Sequence, residues 1–182
     1  HSQFGQDRLV HKLLGSKSAG YFIDLAANQP IHSSNTRSLE RDHGWNGLCV
    51  EPNPWYHAIL AAKRSCRLVA CAVRDKEGSA KFFFNGPSSG FLDGNVDNRF
   101  LRGRANTRGT VGSVRTVRFA TILEQLQAPT TIDFLSLDVE GAESLVMESF
   151  PWARYNISVL TIERPKLKLI SMLQQHRYAY HC

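Results

Sequence analysis

The chain has 182 residues, 42% of them apolar and 21% charged, with a net charge of +6. That balance is the one expected of a globular, soluble domain with a sizeable core, and no apolar run approaches the length of a membrane span. Four cysteines, Cys49, Cys66, Cys71 and Cys182, lack the spacing of metal ligands. Cys49 and Cys71 fall in strand-like runs and read as buried thiols, whereas Cys66 and Cys182 could pair. No secretory signal is visible, and the chain opens inside a motif-like segment, SQFGQD, consistent with an N-terminus that has been removed.

Residues 3–15 carry Leu9, Val10, Leu13 and Leu14 at helical spacing, with Gly15 as the stop. The apolar run Tyr21–Leu25 is a first strand, and it holds a carboxylate, Asp24. Ala26, Ala27, Asn28, Gln29 and Pro30 form a turn, and Ser33 and Ser34 are N-cap candidates for a helix over 34–43 that Gly44 ends. A second strand covers Gly47–Glu51. Asn53-Pro54 is an N-cap with a first helical proline, and a helix follows to Ser65. The spacing predicts a third strand over Arg67–Val73 and an edge strand over Ala80–Phe84.

Residues 85–113 differ in composition, being rich in Gly, Asn, Ser and Arg with Phe91, Phe100 and Leu101 as the few anchors. A loop this long is usually functional or disordered. It is expected to cover the acceptor side of a cleft. Six arginines, at 99, 102, 104, 108, 115 and 118, stand between Arg99 and Arg118 against no acid. They could clamp an anionic acceptor or contact nucleic acid. The run lacks the interleaved aromatics of a single-strand platform, so nucleic acid ranks last. Order resumes with a strand over Val114–Phe119, a helix to about Gln127, a strand over Ile132–Asp138, a helix over Ala142–Phe150, a strand over Ile157–Glu163 and a helix over Leu167–Arg177.

Strands alternating with helices argue for one α/β domain over 1–182, Rossmann-like and doubly wound on a mostly parallel sheet. Such domains often add strands beyond this point, so the fold is either small or C-terminally shortened. Four apolar strands end in an acid: Asp24, Glu51, Asp138 and Glu163, with Glu140 two residues after Asp138. In a parallel sheet these ends share one edge, and ligands bind there. Gathering that much negative charge favours a cationic ligand or one rich in hydroxyl donors. The turn after the first strand is not the glycine-rich cradle that a pyrophosphate needs, and no P-loop lysine is present. S-adenosylmethionine fits these features: it carries a sulfonium and an ammonium, no phosphate, and two ribose hydroxyls that Glu51 could accept.

The segments Gly20–Asn28, Ser34-Asn35-Thr36, Gly44-Trp45, Leu48–Pro54 and Phe134–Glu143 together resemble the FkbM-type methyltransferases, and Ser2–Asp7 resembles the segment that precedes their first strand. The resemblance covers roughly residues 2–165 apart from the insert. It implies a class I Rossmann-like fold and methyl transfer from S-adenosylmethionine, commonly to oxygen. Around the cofactor it implies Asp24, Ala26, Asn28, Asn35, Glu51, Pro52 and Asp138. The chain departs from the family's Gly-Ala-Asn-x-Gly turn, with Ala26 in place of the first glycine and Pro30 in place of the last.

For the chemistry, an alcohol acceptor must lose a proton as it attacks. Asp138 and Glu140 are the first candidates for positioning or base work, and His32 in the first turn is the alternative base. Two acids could bind a divalent ion, but no third ligand can be named, so no metal is expected. The acceptor is expected to be a small molecule or a glycan. Oligomeric state is open. The competing function is a methyltransferase-like domain that has lost catalysis and serves as a binding or assembly module.

Overall fold

The computed structural model describes residues 2–92 and 109–181. Five strands form a wholly parallel sheet: β1 (Tyr21–Leu25), β2 (Asn46–Val50), β3 (Arg67–Val69), β8 (Thr131–Leu137) and β9 (Asn156–Ile162). Their order is β3-β2-β1-β8-β9. The chain moves outward from β1 in one direction and from β8 in the other, so the order reverses between these two strands. That reversal opens a crevice at their carboxyl ends.

The strands read as continuous apolar runs because helices cover both faces. Alternate residues serve opposite cores. Ile23, Leu25, Leu135 and Leu137 pack with Phe119, Ile122 and Leu123 of α4 (Phe119–Gln125), Val146 and Met147 of α5 (Glu143–Glu148), and Leu169 of α6 (Leu167–Gln175). Phe22, Cys49 and Phe134 pack on the other side with Val10 of α1 (Gln6–Leu13), Leu39 of α2 (Arg37–His43) and Leu60 of α3 (Pro54–Lys63). The same alternation puts Asp24 and its cross-strand neighbour Ser136 on the α1–α3 side.

Local signals read from the sequence are realised in the helix ends. Asn53 Oδ1 accepts the Trp55 N–H at 3.1 Å with Pro54 in the first helical position. Gly44 ends α2 at φ 66°. The N-cap of α2 is Thr36, not Ser33 or Ser34, and the helix starts three residues later than expected; Ser34 Oγ accepts the Thr36 and Arg37 N–H groups from outside it. The N-terminal segment is clasped to the body by Asp7, whose buried carboxylate takes hydroxyl protons from Ser2 at 2.6 Å and Ser38 at 2.5 Å.

Three sequence expectations are corrected by a second, four-stranded sheet. The strand expected over Arg67–Val73 bends where Cys71 N–H meets Val69 C=O, and its second half, β4 (Ala72–Val73), leaves the main sheet. The strand expected at an edge is β5 (Gly78–Phe84), paired on both sides, with β6 (Gly90–Phe91) and β7 (Thr110–Val117). The Val114–Phe119 run contributes to β7, which pairs antiparallel with β5 and parallel with β4 instead of joining the main sheet. Ala72, Phe82, Phe91 and Val114 form a small core that rests on Ala142 and Leu145.

Candidate active site

A cleft of about 520 Å³ lies along the carboxyl edge of the main sheet, at the β1/β8 switch point. Residues just beyond β1, β2, β8 and β9 form its floor. Ala72, Val73, Phe82 and Phe91 of the small sheet, with Gly86, Pro87 and Ser89 between β5 and β6, line its other side. All four strand-ending acids reach it, as do Ala26, Asn28, His32, Asn35, Pro52 and Glu140. Among the described residues no lysine or arginine lines it.

The first turn is tied to the neighbouring strand. Ala26 and Ala27 N–H groups donate to Val50 C=O at 2.9 and 3.2 Å. Ala26 takes φ 60° and Asn28 φ 50° to do so, a left-handed geometry that asparagine tolerates and alanine resists. Asn28 N–H then donates to Glu51 Oε2 at 2.7 Å, and Asn53 N–H donates to Glu51 Oε1 at 2.6 Å. Glu51 is 3% exposed. Burial pushes its carboxyl up to about 7, against the pull of those two N–H groups. Each oxygen keeps a lone pair for a further donor. Asn28 Oδ1 is buried with no partner among the described residues.

Asp24 has a different role from that of an open ligand. It is buried, it takes the Thr36 hydroxyl at 2.6 Å, and Ser136 also bonds to it. Burial raises its pKa, and the Arg64 guanidinium opposes that rise. Arg64, itself buried, donates to Ser34 at 3.2 Å, to Thr36 at 2.8 Å and to Glu40. One cation thus holds α2, the end of α3 and the end of β1 together. Asn35 joins this group to β8 through Ser136 Oγ at 3.0 Å.

At the other end of the cleft, the β8–β9 register pairs Leu137 with Ile162, which brings Asp138 beside Glu163. The two carboxyl groups share a hydrogen bond. Burial and that bond push Asp138 up to about 8, while the bond and Arg164 pull Glu163 down. Arg164 bridges Glu163 at 2.8 Å and Glu140 at 3.1 Å. The mutual repulsion expected of these acids is therefore relieved in part by a retained proton and by two arginines.

A family model described as a methyltransferase FkbM domain matches residues 24–179. The chain belongs to this family. No curated protein and no solved structure matches it. In this FkbM domain the match starts at Asp24 and spans every strand-ending acid of the cleft.

Two residues of the site stand outside the sequence-derived set. Glu163 is legible as a strand-ending acid, but its partnership with Asp138 depends on which strands are neighbours. It also supplies the third carboxylate that the sequence could not name: Asp138, Glu140 and Glu163 bring oxygens within 4.8 Å of one another. Arg164 bridges Glu163 and Glu140 and offsets part of this charge. Arg64 carried no sequence signal, because it follows α3 as an ordinary basic residue. His32 is exposed at the rim, with its backbone N–H on Gln29 Oε1 at 3.0 Å. Of the insert, residues 93–108 lie outside the described residues, and with them Arg99, Arg102, Arg104, Arg108, Phe100 and Leu101. Arg118 pairs with Glu77 at 3.6 Å. Among the described residues no helix is long and apolar enough to cross a membrane.

Proposed function

We propose that this FkbM domain transfers a methyl group from S-adenosylmethionine to a hydroxyl of a small molecule or glycan. The observation that carries the reading is Glu51, a buried carboxylate fixed by two backbone N–H groups at the end of β2, within a cleft that no lysine or arginine lines among the described residues. A cofactor with phosphates would meet five acids there and, among the described residues, no lysine or arginine, whereas one with a sulfonium, an ammonium and a ribose meets complementary groups. The unpartnered Asn28 Oδ1 asks for a donor, and the cleft volume is that of a small-molecule site. In this reading Glu51 and Asn28 accept the ribose hydroxyls and the ammonium. Ala26, Asn35 and Pro52 shape the wall, and Asp24 acts by holding Thr36 and the turn in place.

When bound, S-adenosylmethionine supplies an electrophilic methyl group. The chain's part is to hold an acceptor oxygen in line with it and to take the hydroxyl proton. The Asp138–Glu163 pair is the proton acceptor once it has lost its shared proton, and Glu140, held by Arg164, orients the acceptor. Phe82 and Phe91 offer an apolar wall to the acceptor's carbon skeleton. A second reading, a binding module without turnover, draws on the same pair: at pH 7 Asp138 retains its proton and is no base.

The test is formation of S-adenosylhomocysteine by the purified chain with panels of glycans and small alcohols, alongside calorimetric binding of the donor. Donor binding with acceptor-dependent product supports transfer. Binding with no product from any acceptor up to pH 9 supports the module, and no donor binding overturns the transfer reading.

A further inference from the structure

Cys49 and Cys66 do not line the cleft, but they lie close to each other. Cys49 lies on β2, and its side chain enters the core on the α1–α3 side. Cys66 precedes β3, whose register pairs Leu48 with Arg67 and Cys49 with Leu68. That register puts Cys49 and Cys66 on the same face and diagonal to one another. Their Sγ atoms are 2.9 Å apart, within about 1 Å of a bonded pair. Cys71, by contrast, packs in the opposite core.

We propose that Cys49 and Cys66 form a redox-active dithiol that closes to a disulfide, stapling β2 to the start of β3 around the segment that carries Glu51. The two thiols differ in access. Cys49 is 1% exposed, whereas Cys66 is 8% exposed and flanked by the exposed residues Ser65 and Arg67. Cys66 therefore meets the oxidant first. It attacks one sulfur of a low-molecular-weight disulfide and displaces a thiol; Cys49 then attacks the Cys66 sulfur and displaces the second thiol. The protein is oxidised by two electrons and gives up two protons, and the oxidant leaves as two thiols. The contact with Cys66 and burial hold the Cys49 thiol well above its usual range, and the Arg64 guanidinium opposes that rise.

The closed loop holds Glu51, Asn53 and all of α3. The bond would limit how far this segment can stray in the unfolded chain, and so raise stability. The sequence pairing of Cys66 with Cys182 is the competing arrangement.

The experiment treats the full chain, folded, with oxidised glutathione, then alkylates it in guanidinium chloride and maps the peptides. The expected product joins the Cys49 and Cys66 peptides, weighs two hydrogens less than their sum, and is lost on reduction, with Cys71 alkylated. The oxidised protein should melt about 5–10 °C above the reduced one. In Cys66→Ser, neither the joined peptide nor the reductant-dependent shift should occur. Alkylation of both cysteines, a stable glutathione adduct on Cys66 with Cys49 free, or Cys66 joined to a different cysteine would each overturn the proposal.

Discussion

At the scale of single residues, Glu51 and Asp138 both act as carboxylates, and burial makes both demand a raised pH. Glu51 binds a ribose best as a carboxylate, and its pKa sits at about 7. Donor affinity should therefore rise between pH 6 and 8, and Glu51→Gln should flatten that profile; an unaltered profile in the variant would remove Glu51 from the site. Asp138 must shed a proton before it can accept one, and its value is about 8. Turnover should climb between pH 7 and 9 at saturating donor. Asp138→Asn should slow turnover while shifting donor affinity less than about threefold, roughly 0.7 kcal/mol. A large loss of donor binding with turnover preserved would reverse that assignment. Ala26 sits at φ 60°, where a Cβ is strained. Ala26→Gly should relieve about 1–2 kcal/mol of that strain and return part of it as unfolded-chain entropy, for a net gain of about 0.5–1 kcal/mol. A lower denaturation midpoint would contradict this.

At the scale of elements, the link between β1, α2 and α3 is Arg64. Removing it leaves the Asp24 and Glu40 carboxylates buried without their cation, so Arg64→Met should cost about 3–5 kcal/mol in urea denaturation. A loss below 1 kcal/mol would make the network incidental. Arg64 also marks where sequence reading stops. The five parallel strands were legible because each is a bounded apolar run, and the helix ends at Asn53-Pro54 and Gly44 were legible because capping is local chemistry. Strand partners were not. The break after Val69 depends on β4 finding β7, and the union of Asp138 with Glu163 depends on β9 lying beside β8. The acids were visible one at a time; which of them share a proton, and which arginine answers each, is set by register and by helix placement.

At the scale of the whole molecule, the same buried acids shape stability. The unfolded chain releases the Glu51 and Asp138 protons near their ordinary values of 4.5 and 3.8, whereas the folded chain keeps them to about 7 and 8. Across that window the unfolded state binds fewer protons, so folding stability falls as pH rises. Asp7 and Glu40 work at the acid end. Burial disfavours their charge, but hydrogen bonds from Ser2, Ser38, Ser65 and Arg64 outweigh it and hold both below the usual range. Their contribution is present above their unfolded values and is lost as pH falls through the folded ones. Without ligand, the melting temperature should be higher at pH 5.5 than at pH 8.5. A rise over that interval would show that the cleft acids ionise freely in the folded protein.

The central claim is that S-adenosylmethionine lies on Glu51 in the cleft between the two sheets. Titration calorimetry at pH 8, with the parent and Glu51→Ala at equal concentration, tests it most directly. Loss of two charge-assisted hydrogen bonds should weaken binding by about 2–4 kcal/mol, some thirtyfold or more. Equal affinity in the two proteins, or no heat of binding in the parent, would contradict it.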